Sequence, residues 1–394
     1  AWTAFLIYQL LPATFTMSIV STIDTPMFIF GTLALLFYAK GFFEKNYFFY
    51  VGGLFLGIAA LSKVSAIWLG IGMLFYIIIS VRRLEYLKNF HLWISFIFSA
   101  LIYSPFLIWN YSHDFPFLVT ATNLLSRKSS VESFIMFWIS QILLLFPTIF
   151  ILCFHALKIK QENNPSENRT EYTTFFSVLG IVALMYIFYQ SLKSNLEANW
   201  GGFAYISLLL LVPIHITSIW KKFRMSYVFP GSLILSTMLM FTVLGHTLFG
   251  FWEIKKNDIT NRYYAFSSFP GEIKEFYDTQ LKPEIRTISY NNYQIPSMLE
   301  YHLKPLKPSL SINGPDYHPV IFEYWYQDIE LTGQDLYILQ KNSNELQRIS
   351  KDCEDYSLLK KFSTMRDNSI ISEFYLYSCK QFSGKIRKLP TLLF

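Results

Sequence analysis

A few polar positions interrupt an otherwise apolar chain with side chains able to do chemistry: Asp24, Lys63, His113 beside Asp114, and the run Lys193-Ser194-Asn195-Leu196-Glu197-Ala198-Asn199-Trp200. Asp24 lies in Ser21-Thr22-Ile23-Asp24-Thr25-Pro26. An Asp before Thr-Pro suits a helix start, because the carboxylate can cap and Pro fits the first turn. It could equally serve as a carboxylate at a membrane boundary, placed for acid–base work or for a sugar hydroxyl. Lys63 closes Gly57-Ile58-Ala59-Ala60-Leu61-Ser62. Its ammonium could snorkel to headgroups, or hold a phosphate as a point charge, and we favour the phosphate.

The stretch Pro105-Phe106-Leu107-Ile108-Trp109-Asn110-Tyr111-Ser112-His113-Asp114 joins an interfacial aromatic belt to Asn, His and Asp. Adjacent His113 and Asp114 suggest proton transfer, but neighbours in a turn often point apart, and a polar turn under an aromatic anchor is the favoured reading. In the later run, amides and charges suit hydroxyls, and the Trp200 indole suits the apolar face of a sugar. An interfacial loop anchored by Trp200 fits equally well. The candidate substrate set is therefore Trp109, Asn110, His113, Asp114, Glu197, Asn199 and Trp200, with Lys63 and Lys193 as candidate phosphate contacts and Asp24 as the candidate catalytic carboxylate.

The elements that must position these residues are apolar runs at 3–20, 25–41, 46–61, 64–81, 90–109, 133–155, 174–190, 203–219 and 227–249. Most approach the roughly 20 residues that cross a hydrocarbon core. Hydrophobic residues make up 53% of the chain and charged residues only 15%, and Phe134–Phe154 lacks the polar stripe that a soluble amphipathic helix would show. The expected fold is a multi-pass α-helical membrane protein of about nine spans. Basic residues collect at alternate junctions: Lys40 and Lys45; Arg82, Arg83 and Lys88; Lys158, Lys160 and Arg169; Lys221, Lys222 and Arg224. Positive charge favours the cytoplasmic side, so these junctions face inward and the polar clusters face outward. They also explain the net charge of +6 without a nucleic-acid partner.

Composition changes near Phe251, which divides a membrane domain over 1–250 from a soluble domain over 251–394. Counting the spans places that tail outside the cytoplasm. Its pattern predicts strands at Ile285–Tyr290, Pro319–Tyr324, Asp335–Leu339 and Ile370–Tyr377 and a helix over Tyr293–Leu303, hence a small α/β or α+β domain. Lys158–Glu171 reads as a polar cytoplasmic loop. Phe115–Glu132 reads either as a surface-lying helix or as a plain connection. Cys353 and Cys379, in an extracytoplasmic tail, could pair as a disulfide. No metal-ligand spacing is present, and a divalent cation stays open as a cofactor.

The order of these motifs resembles the membrane glycosyltransferases of the protein-mannosyltransferase and aminoarabinose-transferase group (GT-C). It is carried by Asp24-Thr25-Pro26, the Gly-rich span ending Leu61-Ser62-Lys63, the span ending Pro105–Asp114, and Lys193 with Asn199-Trp200. In the tail it is carried by Ser289-Tyr290-Asn291-Asn292-Tyr293-Gln294, Leu299-Glu300-Tyr301, Trp325 and Gly333-Gln334-Asp335-Leu336-Tyr337. The resemblance implies a polyprenyl-phosphate-linked sugar donor, transfer outside the cytoplasmic (inner) membrane, and a lipid, glycan or protein acceptor. It also implies a many-helix membrane domain with a cavity at the outer leaflet. One departure stands out. The family's acidic residue of the first outer loop has no counterpart here, which leads to the expectation that the chain lacks an N-terminal piece and, as it stands, its main general base. The alternative readings are an inactive membrane-anchored binding or assembly protein of the same fold, and a transporter, which the near absence of mid-span charge disfavours.

Overall fold

A computed structural model describes residues 7–19, 22–126, 128–158, 167–223, 225–252, 258, 260–264, 269–312, 321–326, 329–341, 350–366 and 369–384. The chain divides into two compact units: residues 1–111 with 121–241, and residues 112–120 with 242–394.

The first unit is helical. Its elements are α1 (Pro12–Ile19), α2 (Asp24–Phe43), α3 (Phe48–Ser62), α4 (Ile67–Ile79), α5 (Arg83–Lys88), the bulk of α6 (Phe90–Ser112), α8 (Val131–Leu145), α9 (Pro147–Lys158), α10 (Glu167–Lys193), α11 (Gly202–Phe223) and most of α12 (Met225–Phe249). Short helix α7 (Pro116–Leu125) lies between α6 and α8. The apolar runs thus fall on helices among the described residues, but their count as spans does not follow. Among the described residues four helices are long and apolar enough to cross a membrane, Asp24–Phe43, Phe90–Ser112, Thr170–Lys193 and Phe229–Phe249, and α8 with α9 make a fifth if counted as one broken span. The reason is length. The 15 residues of α3 rise only about 22 Å against a core of about 30 Å.

Helix α11 is the centre of this unit. Phe203, Ala204, Tyr205, Ile206, Leu208 and Leu209 are all buried, so consecutive residues around the helix meet protein. A helix that is apolar all round finds its stable place inside. Close approach elsewhere depends on glycine: a Cβ on Gly53 would lie 2.5 Å from the Ser95 carbonyl of α6, and Ser99 Oγ donates to the Gly53 carbonyl at 2.7 Å. At one end of the unit, residues of the basic junctions meet. Arg82 pairs with Glu171 at 3.5 Å, Tyr172 donates to Glu44 at 3.2 Å, and Asn89 donates to Asn46 at 2.9 Å.

The second unit carries α7's first residues, the end of α12, α13 (Asn261–Tyr264), α14 (Phe269–Gln280), β1 (Arg286–Tyr290), α15 (Gln294–His302), β2 (Leu310–Ile312), α16 (Ile321–Trp325), β3 (Leu336–Lys341), β4 (Asp355–Arg366) and β5 (Ser369–Lys380). Its sheet runs β2-β1-β3-β5-β4, parallel through β2, β1 and β3 and antiparallel through β5 and β4. Ile273, Ile295, Leu299, Leu339, Phe374 and Leu376 form the core between α14, α15 and one sheet face. Cys353 and Cys379 are joined as a disulfide.

Strands β1, β3 and β5 and helix α15 lie where the tail pattern places them. The strand expected over Pro319–Tyr324 is corrected: residues 321–325 are helical, and 319 and 320 lie outside the described residues. A short apolar run does not distinguish strand from helix. Here the helical spacing wins because Phe322 is buried and meets Trp325 and Tyr326 at i+3 and i+4, with ring centroids 5.9 and 6.5 Å away. The polar loop expected over Lys158–Glu171 falls largely on residues outside the description, and α10 already begins at Glu167. Phe115–Glu132 does contain a helix, α7.

A buried cation ties the end of α12 to β4 within this second unit. Arg366 donates through Nη2 to the carbonyls of His246 (2.5 Å) and Thr247 (3.1 Å). Through Nη1 it donates to Thr260 Oγ1 (2.5 Å) and Asn261 Oδ1 (3.2 Å), and it lies over the Tyr264 ring. A guanidinium at a helix C-terminus adds donors to the last carbonyls and offsets their partial negative charge. Asp258 Oδ2 meets His246 Nε2 at 2.8 Å, and its other oxygen accepts from Thr260 N and Oγ1. The hydrogen bond from His246, followed by those from Thr260, pulls the Asp258 carboxyl down to about 2.

Candidate functional site

Three of the polar residues singled out from sequence converge in the first unit. Asp24 opens α2, yet its carboxylate does not cap that helix: the residue before it has helical angles, and no side-chain cap bond forms. The carboxylate reaches across the unit instead. Oδ1 accepts from Lys63 Nζ at 2.5 Å and Oδ2 accepts from Asn199 Nδ2 at 2.8 Å. Asp24 is 1% exposed and the Lys63 side chain 15%.

Each partner is held by its own backbone. Lys63 follows the last residue of α3 in extended conformation, and its N–H donates to the Ala59 carbonyl at 3.0 Å. That break in the helix swings the side chain off the α3 axis toward Asp24. Asn199 lies in a single 3-10 turn, Ala198–Gly201, between α10 and α11. The Phe28 ring, one turn along α2 from Asp24, packs where a Cβ on Gly202 would stand, 2.8 Å away, which brings α2 against the start of α11.

The pairing has a chemical consequence. A buried carboxylate needs compensation. Asp24 receives one ammonium and one amide, so it fixes where the Lys63 ammonium sits. Among the described residues the Lys63 ammonium has Asp24 as its one partner. An ammonium carries three donors, so two remain for an anion arriving from the exposed side. Asp24 with both oxygens engaged is poorly suited to take a proton from an acceptor, and well suited to orient Lys63.

The other candidates are placed differently. Lys193, at the end of α10, is exposed and lies over its own Tyr189 ring, 4.4 Å from the centroid. Its carbonyl accepts from Ser129 N at 3.1 Å, and Ser191 O accepts from Ser129 Oγ at 2.8 Å, so the loop after α7 is stitched to this stretch. Glu197 is exposed, with its carbonyl accepting from Trp200 N at 3.0 Å. Trp200 packs against the main core. Asn110 is buried and donates back to Phe106 O of its own helix at 3.0 Å, while Trp109 beside it is exposed. His113 and Asp114 belong to the second unit. The His113 ring meets Tyr324 edge-on at 5.4 Å, its Nδ1 lies 3.0 Å from Ser112 Oγ, and Asp114 is exposed at φ 57°. Beside the start of α2 lies a cavity of about 410 Å³, lined by Tyr8, Gln9, Thr14, Thr25, Phe28 and Thr32 among others. Among the described residues no three His, Cys, Asp or Glu side chains come together as a metal site.

Sequence reasoning missed Gln141, a fully buried amide in an apolar helix. Its signal was available, since a lone Gln in such a run demands a partner.

The fold and this site define a class: a helical membrane protein with a buried ion pair at one end of its helices and a small mixed-sheet domain. Residues 1–109, which hold Asp24 and Lys63, match the family model described as dolichyl-phosphate-mannose-protein mannosyltransferase, so this stretch is similar to that family. No curated protein and no solved structure matches the chain.

Proposed function

We propose that the protein is a glycosyltransferase that moves a sugar from a polyprenyl-phosphate donor to an acceptor on the outer side of the cytoplasmic membrane. One observation carries the reading: inside the family-matched stretch, a buried Asp24 carboxylate aims a lysine ammonium that has donors to spare. In that role Lys63, joined by Lys193, holds the phosphate, which becomes the leaving group as the bond from the anomeric carbon to its oxygen breaks. Stabilising charge that develops on a departing group is the largest service such a site can render. Asp24 acts as the residue that positions Lys63, and the base that takes the acceptor's proton is a separate group. Glu197, Asn199 and Trp200 rim the sugar, and Trp109 and Asn110 form the edge of the acceptor side. The shorter apolar helices α1, α3, α4 and α11 join the four long helices and the broken pair in a membrane body of about nine spans over 1–250, and the disulfide fits an oxidising compartment for the domain over 251–394.

A second reading has an observation in its favour. Because both Asp24 oxygens are occupied, the pair suits binding of a lipid phosphate without turnover, as in an inactive membrane-anchored binding protein. The test uses protein in nanodiscs with a panel of undecaprenyl-phosphate-linked sugars and a membrane extract as acceptor. Labelled sugar appearing in the extract supports the transferase. Binding of undecaprenyl monophosphate without transfer supports the second reading, and neither binding nor transfer sinks both.

A further inference from the structure

We infer that the broken helix pair α8–α9 is the positioning bracket of this site, with Gln141 as the residue through which it acts. The inference rests on the reading of Asp24, Lys63 and Asn199 as a phosphate-binding cluster. The two helices meet at 96° across Phe146, which takes φ 63°, a left-handed conformation that a bulky residue adopts only under constraint. The break lets α8 end inside the unit and press its Gln141 face on the turn that carries Asn199.

The contact is specific. Gln141 is 1% exposed. Its Nε2 donates to the carbonyl of Ala198, the residue before Asn199, at 2.8 Å, and also lies 3.1 Å from Ser140 Oγ. Its Oε1 occupies the space over Gly201: a Cβ there would stand 2.4 Å away, so any larger residue at 201 would have to push the amide aside. One side chain thus holds the 3-10 turn by a hydrogen bond at Ala198 and lies over its other end at Gly201, with Asn199 between. The chain of contacts runs Gln141 to Ala198–Gly201, Asn199 to Asp24, and Asp24 to Lys63. A buried amide in an apolar helix costs free energy unless partnered. Here it organises a turn that carries a polar residue of the site, and Gln141 touches none of the reacting groups itself.

The experiment measures binding of undecaprenyl monophosphate to the full chain in nanodiscs. Gln141→Met keeps length and bulk but removes the amide, and should weaken binding about ten-fold, the scale of one lost buried hydrogen bond. Gly201→Ala, which pushes on the same contact from the other side, should do the same and guards against misfolding of the first variant. The decisive comparison is with Asn199→Ala: in that background Gln141→Met should cost nothing further, because its effect passes through Asn199. Backbone amides of 198–202 should exchange with deuterium faster in Gln141→Met than in the parent. Full additivity of Gln141→Met with Asn199→Ala, or unchanged binding in both Gln141→Met and Gly201→Ala, would overturn the bracket and leave the transferase reading untouched. Failure of the unaltered protein to bind undecaprenyl monophosphate would overturn the two together.

Discussion

Two buried charge clusters in this protein are built from similar groups and left in opposite states. Around Arg366, the guanidinium spends its donors on four oxygens and stacks on Tyr264, while Asp258 takes His246 on one oxygen and Thr260 on the other. Around Asp24, the carboxylate is equally satisfied, but its cation is not: Lys63 has that one partner among the described residues and keeps a partly exposed side chain. A cluster whose donors and acceptors all close on one another fastens structure. A cluster that closes around the anion and leaves the cation with capacity is arranged to receive something. Both look like buried ion pairs, but the one in the tail is closed and the one in the helical unit, the proposed site, is not.

That contrast can be broken at several points. The largest effect is expected from Lys63→Ala and Asp24→Ala, each lowering transfer by roughly 100-fold or more, the scale for losing a group that stabilises transition-state charge. Asp24→Ala should also lower stability, since an uncompensated lysine remains. Turnover unchanged in both variants would remove Lys63 and Asp24 from the site. Next, Arg366→Ala should destabilise the tail by roughly 1–3 kcal/mol by stranding buried acceptors, measured by denaturant unfolding or limited proteolysis, with binding of undecaprenyl monophosphate retained. Loss of that binding with the tail intact would erase the distinction drawn here. Replacing Cys353 by Ser opens a loop of sequence separation 26 and should cost the tail about 3 kcal/mol, seen as a lower unfolding midpoint without reductant and no difference with it.

A smaller effect concerns pH. The Asp258 carboxyl is lowered from 3.8 to about 2 by its bond from His246 first. A depressed folded-state value means stabilisation that is fully present above the ordinary carboxylate pKa and fades as pH falls through 4 toward 2. Asp258→Asn should flatten tail stability over that window, and an unchanged slope would show that Asp258 is not the group responsible. The smallest effect is expected at Lys193, exposed and resting on Tyr189. Lys193→Ala should weaken donor binding only several-fold, whereas a loss matching that of Lys63→Ala would make the two cations equal partners.

Much of this was legible from the sequence, and particular residues show why. The apolar runs located the helices because burial in an apolar medium demands continuous hydrophobicity. Asp24 and Lys63 stood out because charge at the edge of such runs is costly. Alternation marked β1, β3 and β5 in the tail. Other features were closed to that reasoning. Asp24 looked like a helix cap, and nothing local distinguished capping from a partner 39 residues away. Phe322 sat in a run too short to reveal its period. Arg366 and His246 are 120 residues apart, and neither belongs to a motif. Span number was not legible, because run length alone does not say which helices cross a bilayer.

What the sequence by itself determined is which segments must leave water and which polar residues are too expensive to be there by accident, since transfer free energy is a property of local composition. What only the tertiary structure decided is who compensates whom: Lys63 and Asn199 for Asp24, Gln141 for the turn over Gly201, Arg366 for the end of α12. Those pairings depend on helices meeting at particular depths and angles, and packing of the whole chain sets both.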